Sequence, residues 1–410
     1  MLWVQVPPGA PILCPPKLGR ALVLSGECSM DHNVIIIGAG PAGLSTGLHL
    51  AQLAPALAKR TLILEKEHHP RPKLCAGGIT PGGEAWLRRL GLDLSAVTSV
   101  DVSEAHFLFD GRGFVVRHEP YVFRVVRRDE FDAWLADTVR ERGLTLQEDT
   151  WVRRVQRLKD SVAVETNQGT YHARAVVGAD GATGVVRQAI AHGQPSRTSR
   201  LLEILAPPTD LQNSLSLDPQ KGKVVIDFSW IADGLQGYVW DFPTQVRKQP
   251  MHTRGIFDSR VHPRAPRVSL KVVLQEEFTR VSAALGHHEL EGHPLRCFHP
   301  RGVFSAPRVL LVGDAAGVDP LLGEGISFAL GYGEVAAQEL VDGFAHGDFS
   351  FERYRRHVLT HRIGRYMRRR ASIAALLYRI RSRFLLRSLG SGLGPLVGWM
   401  AEHFWVDWGE

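Results

Sequence analysis

Three glycine-centred clusters in this chain have the residue types and spacing to grip a phosphorylated ligand. In Val34 to Ala51, VIIIGAGPAGLSTGLHLA, an apolar run enters Gly38-x-Gly40-x-x-Gly43 and continues into a helix-compatible stretch. Gly38 allows a sharp turn, Gly40 lets backbone approach a pyrophosphate, and Gly43 lets helix and strand pack closely, with Ala42 between them on the same turn. Phosphate oxygens would then meet the unsatisfied N–H groups of a helix N-terminus. A second strand candidate, Thr61 to Leu64, ends in Glu65, about twenty residues beyond the last glycine, where an acid can accept ribose hydroxyls. By itself this cluster admits NAD or FAD without preference.

The second cluster is Ala175-Val-Val-Gly178-Ala-Asp180-Gly181, a buried strand running into a glycine-permitted turn and a helix start. Its Asp180 serves equally well as a helix cap or a ligand. The third, Val309-Leu-Leu-Val-Gly313-Asp314-Ala-Ala-Gly317, continues through Gly323-Glu324-Gly325-Ile326 and again passes from strand to glycine turn to helix. Between the first two lies a Pro- and Gly-rich loop, His68 to Gly83, that excludes regular helix and can lie flat against a planar ligand. It carries Cys75, which is either a small buried residue in a tight loop or a thiol held close to a ring system by slender neighbours. Further on, Gly237-Tyr238-Val-Trp240-Asp-Phe242-Pro243 places three aromatics on one face of a strand, with Pro243 ending the ladder. Such a stripe is sheet core or the wall of a long apolar cavity.

Lys73-Leu-Cys75-Ala76-Gly77-Gly78, following the first glycine cluster and Glu65, resembles the geranylgeranyl reductase family of flavoproteins, within the p-hydroxybenzoate hydroxylase-like superfamily. Ala76 stands where glycine is common. The resemblance covers roughly Asp31 to Gln338 and rests on motif order and spacing. It implies FAD as cofactor, with Gly38, Gly40, Ala42, Gly43, Glu65, Cys75, Ala76, Gly78, Arg128, Val152, Asp180, Gly313, Asp314, Gly325 and Ile326 as its contacts. Asp314 would bind the ribityl chain, and backbone N–H groups near Gly325 and Ile326 would stabilise negative charge on the reduced ring. Without the resemblance, Arg128 reads as a solvated arginine at a helix start. The family's Tyr-x-Trp-x-Phe-Pro motif lines a prenyl cavity and is matched in full by Tyr238, Trp240, Phe242 and Pro243. Aromatic hydroxylases of this fold have His after Gly-Asp-Ala-Ala and a Gly-Gln-Gly-x-Asn continuation, whereas here Gly317 and Gly323-Glu324-Gly325-Ile326 stand.

The fold expected is α/β: a Rossmann-like FAD-binding domain with an inserted antiparallel-sheet substrate domain and a C-terminal helical segment. The cofactor domain would be assembled from residues 30–100, 126–193 and 302–345, with substrate-sheet strands at 101–125, the substrate domain at 194–301 and the basic helical segment at 346–410. Within this frame, Val100 to Glu119 reads as a hairpin turning at Asp110-Gly111, and a helix opens at Arg127-Arg128 and ends near Gly143. Trp151 to Val155, Ser161 to Glu165 and Tyr171 to Ala175 read as strands.

The net charge of +7 is local, because Arg353 to Arg387 contains twelve arginines and no Asp, Glu or Lys. The remainder holds 37 basic against 42 acidic residues, so no nucleic-acid surface is indicated for the body. Apolar residues in Phe351 to Leu389 recur at helical spacing, with a break expected near Gly364 or Arg370. This segment reads either as ordinary surface helices or as a peripheral contact with an anionic membrane. No apolar run is long enough to span a bilayer. The four cysteines, Cys14, Cys28, Cys75 and Cys297, lack metal-ligand spacing and fit a reducing, cytoplasmic setting with no bound metal. Residues 1–29 are Pro-rich and nearly uncharged and read as unstructured or as a mis-called start ahead of Met30, not as a signal peptide.

The chemistry implied is hydride delivery from reduced FAD to one carbon of an isoprenoid double bond while an acid protonates the other, with Cys75 the first candidate acid. No second dinucleotide fingerprint is visible, so NAD(P)H would bind transiently, and ferredoxin or another donor protein is equally open. A FAD monooxygenase or halogenase of secondary metabolism is the enzymatic alternative. A flavin-binding protein without catalysis is the other.

Overall fold

The computed structural model describes residues 31–191, 198–208, 221–280 and 290–391. The segment ahead of Met30 and the Trp-rich tail from Phe404 to Trp408 lie outside the described residues. Two sheets organise the rest. The first contains β1 (His32–Ile37), β2 (Thr61–Leu64), β7 (Thr145–Gln147), β10 (Thr170–Gly178), β16 (Ser305–Ala306) and β17 (Val309–Leu311) in the order β16-β17-β10-β1-β2-β7. A further antiparallel pair, β8 (Val152–Arg157) and β9 (Val162–Thr166), joins through β10. The run from Tyr171 and the run from Ala175 are one continuous strand, β10.

The central strands are parallel and buried on both faces, which is why β1 reads as an unbroken apolar run rather than an alternation. Register does the functional work here. Ile37 lies beside Gly178 and Leu64, and Gly178 beside Leu311, so the carboxyl ends of adjacent strands deliver all three glycine clusters to one edge. The helices that follow pack just as closely. Ser45 of helix Pro41–Leu53 donates to Leu330 O at 2.7 Å, and a Cβ on Gly333 of helix Ile326–His346 would sit 2.4 Å from Ser45 Oγ.

The second sheet runs β15-β11-β14-β13-β12-β4-β6-β3, with β5 (Arg112–Arg117) on β4. Its members are β3 (Gly78–Ile79), β4 (Ser99–Phe109), β6 (Phe123–Val126), β11 (Thr198–Ala206), β12 (Lys221–Asp227), β13 (Gly237–Val246), β14 (Gln249–Asp258) and β15 (Glu291–Arg296). The hairpin at Asp110-Gly111 forms as expected, with both residues at positive φ. The sheet is antiparallel except where β12 runs parallel to β4. Those two strands are separated in sequence by a long excursion through the first sheet, so no tight hairpin constrains their direction. The sheet also takes in Gly78–Ile79, from the segment assigned by sequence to the cofactor domain.

Two expectations are corrected. Pro243 does not end its strand: β13 continues to Val246, and Pro243 pairs with His252. The ladder from β13 to β12 stops at Asp241, leaving an edge on which a missing N–H is tolerated. The C-terminal segment does not break at Arg370: it forms helices Tyr354–Thr360, Arg362–Leu377 and Arg383–Ser391, its first break falling near Gly364. The first break falls at His361, whose backbone is extended. Gly364 instead lets the second helix close on the first, since a Cβ there would lie 2.0 Å from Val358 O. Among the described residues, no helix is long and apolar enough to cross a membrane.

Candidate active site

A cavity of about 580 Å3 opens at the edge where the three clusters meet. Gly38, Gly40, Ala42, Glu65, Arg128, Val152, Asp180, Gly313, Asp314, Gly325 and Ile326 all line it, together with Lys73 and Cys75. Gly38 has φ +105° and its Cβ would strike Ala179 O at 2.4 Å, so turn and strand contact both require glycine. Gly43 does not line the cavity. Its Cβ would lie 1.9 Å from Gly38 O, which identifies it as the packing glycine of the turn. By contrast, a Cβ on Gly40 would meet nothing nearer than Arg71 at 3.8 Å, leaving bare backbone facing the cavity.

The Glu65 carboxylate accepts from Ala39 N at 2.7 Å and from Lys66 N at 3.0 Å, while Arg71 approaches it at 3.6 Å. It therefore ties the glycine turn to the end of β2 while lining the cavity. Arg128 is buried, not solvated. Its guanidinium grips Asp132 through two 2.8 Å bonds and lies close enough to act on the Cys75 thiol. Asp180 meets the helix start and also lines the cavity. One oxygen accepts from Val186 N at 2.9 Å in the first turn of helix Val185–Ile190, and the other, Oδ1, is buried with no partner. Burial pushes its carboxyl up to about 6. Asp314 is likewise pushed up by burial, against the opposing pull of Lys73 and Arg128. Helix Ile326–His346 begins at Gly325 without a side-chain cap, so its N-terminal amides face the cavity free to meet an anion.

These features fit a flavin dinucleotide. The bare Gly40 backbone and uncapped amides suit its pyrophosphate and ring, and the orphaned Asp180 oxygen and buried Asp314 are acceptors for hydroxyls.

A smaller apolar pocket of about 80 Å3 adjoins the first. Tyr238, Trp240 and Phe242 line it, with Phe123, Ile226, Phe257 and Leu322, whereas Pro243 does not. Ala76 and Gly78 face this pocket and not the larger cavity. Cys75, Leu201, Gly323, Gly325 and Ile326 line both, so the cysteine stands at the junction. Its loop is pinned by Gly77, at φ +82°, whose Cβ would lie 2.0 Å from Val126 O, and Gly77 N in turn donates to Cys75 Sγ at 3.4 Å. Burial raises the thiol above its usual range, Arg128 opposes that shift, and Glu203 adds to it. Cys75 is thus held as a thiol beside a cation able to stabilise the thiolate.

Several residues at or beside the two cavities make contacts that the sequence does not announce. Lys73 Nζ contacts His293 Nε2 of β15 at 2.8 Å, bridging loop and second sheet. Burial, helped by Arg128, brings Lys73 down to about 8, and burial with Lys73 brings His293 down to about 4. Arg370 reaches the pocket lip from the C-terminal helices, bonding Asp319 at 2.9 Å and Glu324 at 2.5 Å. Glu324 also accepts from Thr80 Oγ1 at 2.8 Å. Nothing local in sequence marks these pairings, because each joins residues far apart in the chain.

The family described as FAD binding domain matches residues 31–331. The chain belongs to that family. It is an FAD-dependent oxidoreductase. Its sequence is similar to digeranylgeranylglycerophospholipid reductase 3 of Methanosphaera stadtmanae, 26% identical over 85% of this chain and 87% of the relative. In three dimensions it is similar to a geranylgeranyl bacteriochlorophyll reductase-like protein of Thermoplasma acidophilum, with TM-score 0.74, 21% identity and coverage of 92% and 97% of the two chains. A flavin-dependent halogenase also shares the fold, with TM-score 0.64, 23% identity and coverage of 91% and 72%. The resemblance carried by the Cys75 loop and the aromatic stripe therefore agrees with the relatives and the fold.

Proposed function

We propose that this FAD-dependent enzyme saturates carbon–carbon double bonds of an isoprenoid or similarly lipophilic substrate. The observation that carries the reading is the junction itself: an aromatic-walled pocket meets the cofactor cavity at one protonated thiol. The relatives named as reductases of geranylgeranyl lipids support it. FAD, when bound and reduced by NAD(P)H or a ferredoxin-like donor, supplies the hydride. The chain's own part is to hold an alkene between Tyr238, Trp240 and Phe242, exclude water with those rings, and place the Cys75 thiol to protonate the second carbon. Arg128 then faces the resulting thiolate.

The C-terminal helices suit delivery of such a substrate from a membrane. Leu376 and Phe384 are 70% and 75% exposed on an arginine-rich surface, while Tyr378, just past the first of these helices, and Leu386 in the second are buried in the cluster that holds the aromatic stripe. This surface would rest on an anionic bilayer, where apolar burial and arginine attraction act together.

The test is anaerobic. The photoreduced holoenzyme is mixed with geranylgeranyl diphosphate, menaquinone or an archaeal-type unsaturated lipid, and flavin reoxidation is followed alongside product mass. Reoxidation with a gain of two hydrogens per bond supports the reading. Turnover that needs oxygen and yields hydroxylated or halogenated product would replace it with the monooxygenase or halogenase reading.

A further inference from the structure

Glu203 is a carboxylic acid embedded in the apolar face of the second sheet. Strand register places it in one row across three strands, Trp240 of β13 beside Gly255 of β14 and Gly255 beside Glu203 of β11. The neighbouring row, Tyr238, Phe257 and Leu201, lines the substrate pocket throughout, so Glu203 lies on that same face. Gly255 leaves the gap filled by the Trp240 indole, whose outer ring carbons would lie 2.3 and 2.4 Å from a Cβ there. Glu203 is only 4% exposed, and its Oε2 has no partner. Leu201, two residues along β11 on the same face, lines both cavities together with Cys75, and the Cys75 segment and Glu203 act on one another electrostatically. The charged groups acting on it are Arg127, at the start of helix Arg128–Glu141, and Glu291 opposite it on β15. Burial, with Glu291 adding to it and Arg127 opposing it, pushes the acid up to about 8, so it carries a proton at neutral pH.

We propose that Glu203 resupplies the Cys75 thiol with the proton it gives to the substrate. The inference rests on the reading of Cys75 as the proton donor. In that step the Cys75 S–H bond breaks and a C–H bond forms at one alkene carbon, as the hydride from reduced flavin bonds the other. The thiolate then takes the Glu203 proton, and the carboxylate, facing Arg127, is reprotonated from solvent between turnovers. A purely structural Glu203 would only fill its place on the sheet face, which an amide side chain of the same size does equally well.

Glu203→Gln separates the two, because it keeps the size and shape of the side chain and removes the acid proton. Wild-type, E203Q and E203D holoenzymes are reduced anaerobically and mixed with geranylgeranyl diphosphate across pH 6 to 10, following flavin reoxidation. The wild-type rate should fall as pH rises through about 8. E203Q should lose tenfold or more in rate, on the order expected for removing a proton donor, and should lose that limb, while E203D restores it in part. Lys73 titrates in the same range, so the limb's disappearance in E203Q is what assigns it. A wild-type rate and limb in E203Q overturn the proposal. A second readout does not need turnover. The infrared difference between wild type and E203Q at pH 7 should show a protonated carboxyl band, and a carboxylate band there instead would overturn the proposal even if no isoprenoid reoxidises the flavin. Failure of every substrate with the carboxyl band present would count against the reductase reading alone.

Discussion

Arg370 Nη1 bonds Glu324 Oε2 at 2.5 Å, joining a helix near the C-terminus to the loop that borders both the larger cavity and the apolar pocket. The same nitrogen bonds Asp319, and all three side chains are almost fully buried. Removing the arginine leaves two uncompensated buried acids. Arg370→Ala should cost on the order of 3–5 kcal/mol in stability, read by urea unfolding, and should raise KM for a lipophilic substrate. Arg370→Lys should recover only part, since one ammonium cannot reproduce the guanidinium geometry.

Cys75→Ser keeps the size of the side chain and removes the soft acid. Flavin content should stay near wild type, because the cavity is built mainly by the glycine clusters. Isoprenoid-driven flavin reoxidation should fall by roughly 10²–10⁴-fold, as for loss of a general acid. Unchanged reoxidation would remove Cys75 from the chemistry.

Gly77→Ala forces a Cβ to within 2.0 Å of Val126 O at a positive φ. Relief requires moving either the Cys75 loop or β6. The cost should be on the order of 1–3 kcal/mol for the backbone conformation alone, and flavin should bind more weakly. Thermal unfolding and flavin titration of the variant measure both effects.

Asp180 supplies a pH dependence with a definite sign. Its folded value of about 6 lies above the ordinary 3.8, so the folded apoprotein holds a proton that the unfolded chain has released. Stability conferred by that proton is complete below about 3.8 and is lost as pH rises through about 6. Asp180→Asn should abolish this contribution, so wild type should lose on the order of 3 kcal/mol relative to the variant between those limits. Urea unfolding of both apoproteins at a series of pH values gives the difference directly, with the buried His49 common to each.

Leu376→Ser combined with Phe384→Ser should reduce sedimentation with phosphatidylglycerol-containing vesicles while leaving flavin binding intact. Neither residue packs in the core, and each is well over half exposed. Arg383 and Arg387 are less suitable probes, because they are engaged with Asp110 and Asp233.

The cofactor side of the molecule was legible in sequence because each cluster is local: strand, turn and helix follow one another, and parallel register does the rest. Gly38, Asp180 and Gly313 needed no long-range information to be singled out. The aromatic stripe was also readable, since alternation along one strand fixes which residues share a face. Gly43 and Pro243 show where a motif stops short of geometry, the first packing the turn and the second lying outside the apolar pocket. Glu203, Lys73, His293 and Arg370 were illegible for a different reason. Their roles arise from partners more than forty residues away, brought together by sheet order and by the final helices.

Because Tyr378 O–H bonds Leu321 O and Arg370 holds Glu324, the loop that lines the apolar pocket is buttressed by residues emerging late from the ribosome. The glycine turns and the residues lining the pocket are all made once residue 326 has been reached, whereas the buttress waits some fifty residues longer for Tyr378. During synthesis the residues lining both cavities therefore precede those that hold the loop between them in place.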